Sequence, residues 1–333
     1  MKATLSLLVL FLASAAGALG PAPALERFEF ARLRMGTSVR IVLYAPDEAS
    51  ARAASGAAYA RIDEIESMMS HYRQDSELSR LSASSGSGAK PVSTEMFKIL
   101  TIAREFSVRS GGAFDITVGP FIELWRQSRR VKQLPTAAAL SDAAKRVGYG
   151  HMVLDRSKRS AELRRRGMKL DLSAIAKGYA ADEALRVLKS RGHPIALVDA
   201  GGDIALGEAP PGKKGWTVAI DEVPGQPGTA RRTVVLTREA IATSGDAYQF
   251  VEIGGERYSH IVDPKTGLGV RGAASATVIA PDCLTADALA TSLCVMPPRE
   301  GLRLVESNGH ASARILRRTG DGVEQFVTGS FTP

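Results

Sequence analysis

The sequence predicts an α+β fold: a largely antiparallel sheet or sheets with flanking helices. Three observations carry that expectation. Strand-like runs follow one another closely through short turns, and four or five helical stretches interrupt them instead of alternating with them. No self-similarity recurs at a period of roughly 20–50 residues, which excludes a solenoid or propeller. The pair Gly201-Gly202 in IALVDAGGDIALGE lacks GxGxxG spacing and has no helix directly after it, so a doubly wound dinucleotide fold is disfavoured. That pair fits a hairpin turn or a backbone cradle for phosphate.

Residues 28–45 read as a strand pair around Met35-Gly36-Thr37, with the β-branched run TSVRIVLYA after the glycine. Residues 47–69 are helical, because Ile62, Ile65 and Met69 recur at spacings of three to four. SHYRQDSELSRLSASSGSG is a polar connection ending in a Ser/Gly loop. Its Tyr72 is either a lid on a core or a ring that stacks on a ligand. Residues 93–110 form a second amphipathic helix, capped by Ser93 or Thr94, with Glu95 in its first turn.

GGAFDITVGPF then reads as a loop entering a short strand, where Gly111-Gly112 lets the backbone approach a ligand closely and Asp115 follows. Residues 134–148 are a third helix, and residues 151–170 are two short strands around an Arg/Lys-rich turn. A helical run from Tyr179 ends near Ser190. Strands at 216–220 and 232–236 flank the loop DEVPGQPGTA, and RYSHIVDPKTGLG is a strand carrying His260 followed by a turn. Residues 273–280 are a strand, 282–296 a helix, and 311–331 two further strands.

Residues 1–20 read as a cleavable secretory signal. Lys2 precedes a short apolar run at 5–12, and ASA (13–15) or AGA (16–18) offers the cleavage site. No cysteine lies nearby for lipid attachment, so the expected location is the periplasm. Residues 21–333 are long enough for a large core and are read as a single domain. No later stretch has about 18 uninterrupted apolar residues, so no stable membrane span is expected. The net charge is +8, clustered at Arg129-Arg130-Lys132 and over 156–169. These clusters lack interleaved aromatics and any nucleic-acid motif, so they read as a solvated basic face with no nucleic-acid partner. Cys283 and Cys294 lie in Ala/Leu-rich sequence, which favours two separate buried thiols over a disulfide.

The stretch LDLSAIAKGYAADEAL (170–185) is the chemical centre of the sequence. Asp171, Ala174 and Lys177 are spaced three apart, so they share one face if the turn is already helical. That face would show a carboxylate, a backbone carbonyl over a residue without bulk, and an ammonium. Such a set suits a ligand carrying a polar ring edge and phosphates; the plainer alternative is a helix start with a surface Lys–Asp pair. Asp287 and Thr291, four apart on the last long helix, form an all-oxygen pair suited to Mg²⁺, or else an ordinary polar stripe.

Eight ordered segments set these residues in context: MGTSVRIVLYA, SHYRQDSELSRL, GGAFDITVGP, LDLSAIAKGYAADEAL, LVDAGGDIALGE, ATSGDAYQF, HIVDPKTG and DALATSL. Together, over about residues 35–296, they resemble the ApbE family of FAD:protein FMN transferases. The resemblance implies an ApbE-like, T-fold-related architecture. It implies an enzyme that binds FAD, uses Mg²⁺, and transfers FMN to a Ser or Thr hydroxyl of an acceptor flavoprotein, releasing AMP. By that resemblance Met35 would touch the flavin side of FAD and Tyr72 would stack on a ring. Ala113, Phe114 and Asp115 would line the nucleotide pocket, Asp171 and Lys177 would bind FAD, and Ile261 would close the pocket. The metal would be held by the Ala174 carbonyl and the side chains of Asp287 and Thr291. Mg²⁺ and Lys177 would neutralise phosphate charge, and His260 is the candidate base, or else a structural histidine orienting the Asp263 turn. Alternative readings are an FAD pyrophosphatase on the same site, with water in place of the protein hydroxyl, and a non-catalytic FAD-binding protein. Nothing in its sequence context attaches a function to His71.

Overall fold

A computed structural model describes residues 24–221, 231–246, 249–319, 322–329 and 331. Residues 1–23, with the expected signal sequence over 1–20, residues 222–230 of the DEVPGQPGTA loop, and Ala247-Tyr248 lie outside the described residues. An eight-stranded sheet runs in the order Glu26–Arg34, Thr37–Ala45, Ala196–Ala200, Ile204–Leu206, Ala240–Gly245, Ala273–Ala280, Ser312–Thr319, Gly322–Val327. Every neighbouring pair is antiparallel, as expected from short turns between alternating runs.

Alternation along Thr37–Ala45 shows why the sheet is covered on both faces. Val39, Ile41, Leu43 and Ala45 enter the main core, while Val42 and Tyr44 enter a second one on the other side. Helices Glu48–Met69, Ala176–Ser190 and Cys283–Val295 cover the first face, the middle one packing against the other two. The hairpin Trp216–Asp221/Arg231–Leu236 covers the other with Trp216, Val218, Val234 and Leu236. A third, smaller core joins helices Gly119–Val131 and Ala137–Ala144 to the sheet Phe250–Ile253, Glu256–Val262, Gly269–Arg271.

Eight α-helices are present among the described residues, against the four or five expected. Glu77–Ala83 lies inside the polar connection; it buries only Leu78 and Leu81, too little apolar periodicity to be read from sequence. Pro298–Glu306 follows the last long helix after the two-residue break Met296-Pro297. The instructive case is residues 111–121, read from sequence as a loop entering a short strand. Ile116-Thr117-Val118 has strand composition, but Asp115 accepts from both the Thr117 backbone N–H (2.8 Å) and its hydroxyl (2.7 Å). That local turn competes with a ladder, and only a single parallel bridge, Val118 to Lys169, remains. Pro120 in the first turn then starts helix Gly119–Val131, which Lys132 ends at φ +55°. The helix expected over 134–148 is confined to Ala137–Ala144, capped by Thr136. Both cysteines are free and buried.

Candidate active site

Helices Ala176–Ser190 and Cys283–Val295 touch at their N-termini, and their contact builds the floor of the site. A Cβ at Gly178 would sit 2.3 Å from the Cys283 carbonyl oxygen, so only glycine permits this approach. Each helix caps the other. Asp182 accepts from the Cys283 and Leu284 N–H groups (both 2.9 Å), and Asp287 accepts from the Gly178 N–H (3.1 Å). First-turn N–H groups have no partner within their own helix, so a carboxylate from a neighbour satisfies them. Burial pushes Asp182 up to about 7 against those two bonds.

Above this contact lies a cavity of about 710 Å³, within the range of small-molecule sites. Its walls include every residue singled out in the sequence: Met35, Tyr72, Ala113, Phe114, Asp115, Asp171, Ala174, Lys177, His260, Ile261, Asp287 and Thr291. One geometric expectation is corrected. Asp171 and Ala174 do not share a helical face with Lys177, because the helix begins only at Ala176. A turn presents them instead, and Asp171 stabilises it by accepting from the Ser173 N–H at 2.9 Å. Asp115 lines the cavity, but both its oxygens are engaged by the protein, the second by the Tyr149 N–H at 2.9 Å. Those bonds hold the 113–118 loop in place. Burial raises its pKa despite those bonds.

The floor gathers two buried acids around one ammonium. The Lys177 ammonium bonds Asp203, a buried acid after the glycine pair, with buried Asp287 as its second acidic neighbour. Burial alone would pull Lys177 down, but Asp287 and Asp203 hold it above its ordinary value. Burial pushes Asp203 and Asp287 up, with Lys177 opposing the rise in each case. A cation bound here would favour the ionised form of both carboxylates and compensate the charge that one ammonium leaves unmatched. Thr291 adds a hydroxyl, 3.2 Å from that of Ser244. Among the described residues no group of three or more His, Cys, Asp or Glu side chains could hold a metal. The donors present are oxygens of mixed kind, which fits a hard cation that keeps other oxygens as ligands.

His260, on strand Glu256–Val262, is half-buried; its Nδ1 lies 3.2 Å from the Gln249 carbonyl. A carbonyl can only accept, so Nδ1 carries the proton and Nε2 keeps its lone pair. Burial lowers the His260 pKa, with Arg129 and Lys177 adding to the effect. Helix Gly119–Val131 fixes the strand from behind, through the Trp125 indole N–H to the Ser259 carbonyl at 2.9 Å.

Three cavity residues escaped the sequence reading. Arg126 donates to His71 Nε2 at 2.6 Å, so His71 is neutral, and its Nδ1 stands 3.5 Å from Asp171. Burial lowers His71 further toward that form, against the opposing charge of Asp171. Arg126 also lies over the Tyr72 ring, 4.7 Å from its centroid, and Tyr72 is 74% exposed at the mouth. Arg129 joins the wall one turn later. The signal for Arg126 and Arg129 was their i, i+3 spacing on a helix that the strand-like run before it concealed.

The ApbE family pattern matches residues 35–315. An FAD:protein FMN transferase of Vibrio cholerae is 34% identical over 279 residues, 82% of this chain and 81% of that protein. One from Klebsiella pneumoniae is 32% identical over 302 residues, 89% and 86% of the two chains. Among solved structures, the flavin transferase ApbE from Vibrio cholerae superposes with TM-score 0.84 at 31% identity, covering 92% of this chain and 99% of that one. The flavinyl transferase ApbE of Pseudomonas stutzeri gives 0.80 at 29%, covering 92% and 95%. A cavity assembled from the expected residues, on the fold those structures share, therefore has a family: this chain belongs to the ApbE family.

Proposed function

We propose that the protein is an FAD:protein FMN transferase that moves the FMN half of FAD onto a Ser or Thr hydroxyl of an acceptor protein and releases AMP. The observation that carries this reading is one cavity holding an exposed aromatic ring at its mouth, a cationic and acidic floor, and a neutral histidine. In the reaction the acceptor oxygen bonds to the FMN phosphorus. The bond from that phosphorus to the bridging oxygen breaks, and AMP leaves with that oxygen. His260 Nε2 takes the hydroxyl proton. Lys177 stays protonated between its acids, so it acts on phosphate charge and not as a base.

Mg²⁺ would be held by the Asp287 carboxylate, the Thr291 hydroxyl and the Ala174 carbonyl. When bound it neutralises charge on the pyrophosphate. Tyr72 and Met35 bind the ring systems, Phe114, Ala113 and Ile261 exclude water, and Asp171 orients His71 and Arg126 beside them. Met35 is suited to a close approach: it sits at φ +52° in the hairpin turn with Gly36, and its N–H donates to Glu66. Export to the periplasm is supported by the leader-like residues 1–20, and a single domain over 21–333 by the main core shared between sheet and helices. Among the described residues no helix is long and apolar enough to cross a membrane.

Product balance tests the reaction. Transfer releases AMP without free FMN in the presence of an acceptor domain; equal AMP and free FMN would assign hydrolysis instead. For His260→Ala we expect transfer to fall by roughly 10²–10⁴-fold with FAD affinity unchanged in titration. The wild-type rate should rise with pH through a pKa below the usual 6.5 of histidine and be flat above it. Near-normal turnover in the variant, with the same pH profile, returns His260 to a structural role.

A further inference from the structure

Beside the cavity runs a second groove, lined by Arg126, Arg129, Arg130, Lys132, Phe250, Val251 and Glu252. Arg126 and Arg129 belong to both walls, so the groove adjoins the catalytic cavity across these two side chains. It carries four cations against one acid, Glu252. Arg129, Arg130 and Lys132 form no ion pair or hydrogen bond through their side chains among the described residues, so these charges are not consumed by the fold. Phe250 is 40% exposed there, with its ring under the Arg257 guanidinium at 3.5 Å. Cations in the last turn suit the dipole of helix Gly119–Val131. The dipole does not account for their lining a groove that shares a wall with the cavity, nor for Lys132 beyond the helix end.

We infer that this groove is a docking surface for an acidic face of the acceptor protein, next to its reacting hydroxyl. The inference rests on the transfer reading above. That reaction needs a macromolecule seated at the cavity mouth while its hydroxyl reaches His260. Arg130 and Lys132 do not line the catalytic cavity, so their charge is placed to act on something outside it. Complementary charge in such a position speeds encounter and selects partners while adding little to the chemistry. An aromatic flanked by arginines supplies the contact that interfaces favour at their centres.

The test uses the full chain and its double variant Arg130→Glu/Lys132→Asp. Aspartate suits position 132, where the backbone is left-handed. The probe is a small carrier protein displaying one Thr-containing loop, made with either aspartates or asparagines on the surface around it. FMN incorporation is followed by mass, FAD affinity by titration, and binding of each carrier by fluorescence anisotropy. The wild type should show a KM about tenfold lower for the acidic carrier, and salt should erode the difference. The variant should lose the preference while binding FAD as before. Equal use of both carriers by the wild type overturns the docking surface and leaves the transfer reading standing. If neither carrier is modified, acid-selective binding that the variant abolishes upholds the surface while the transfer reading fails; unselective binding removes both. A variant defect in FAD affinity assigns the groove to the nucleotide. Tighter charge-dependent binding of anionic vesicles or duplex DNA than of the acidic carrier assigns it to another partner, and either result overturns the inference.

Discussion

Replacing Asp287 with alanine should abolish FMN transfer at any practical Mg²⁺ concentration. It supplies the only full negative charge among the three proposed metal ligands, and removing one such electrostatic contact costs at least roughly 10²–10³-fold in rate. The same carboxylate caps helix Ala176–Ser190 through the Gly178 N–H, so the alanine variant also loses about 1 kcal/mol of capping. Asp287→Asn separates the two effects. Its amide oxygen still accepts from Gly178 but carries no charge. We expect Asp287→Asn to melt near the wild-type temperature and remain inactive. Thr291→Ala removes a neutral oxygen that water can replace, so its defect should be smaller and partly recovered at high Mg²⁺. Full Mg²⁺-dependent activity in Asp287→Asn places the cation elsewhere.

Gly178→Ala should damage both stability and activity. Helix propensity alone predicts a gain of up to about 1 kcal/mol. Sterics oppose it: the new Cβ would meet the Cys283 carbonyl at 2.3 Å for oxygen and 2.7 Å for carbon, and the Asp287 Cβ at 2.9 Å. The obstacle is backbone and cannot rotate away, so the helices must separate, at about 1–3 kcal/mol or more for overpacking. Separation also breaks the bond from Gly178 to Asp287 and shifts the proposed metal ligand. Gly56→Ala is the control. It lies within helix Glu48–Met69 with nothing inside 4 Å of the new Cβ, so the propensity gain stands unopposed. Thermal melts should move in opposite directions for the two variants, and only Gly178→Ala should lose transfer. Matching upward shifts with full activity would show that the two helices approach less closely than described.

Strand and helix periods made most of this architecture legible. The hairpin over Met35-Gly36 carries β-branched strand composition and helix Glu48–Met69 carries 3–4 spacing through Ile62, Ile65 and Met69. What stayed hidden was decided by tertiary partners. The run Ile116-Thr117-Val118 has strand composition, yet Asp115 bends it through bonds to Thr117 and Tyr149, the latter far along the chain. Hiding that turn hid the helix after it, and with it Arg126 and Arg129. The cluster at 129–132 read as a solvated basic face because sequence cannot show that Arg129 turns into a cavity. Asp203 and His71 were invisible for a similar reason: their partners, Lys177 and Asp171, are distant in sequence. The residues around Lys177 and Asp287 were legible because family motifs mark them, although the reciprocal capping that joins their helices was not.

The most direct measurement is the mass of an acceptor domain after incubation with this protein, FAD and Mg²⁺, beside a reaction in which the acceptor hydroxyl residue is alanine. One FMN joined through a phosphoester is expected per intact acceptor, none on the alanine form, and none for either when Mg²⁺ is chelated. An unmodified acceptor alongside FAD cleaved to FMN and AMP would contradict the transfer reading.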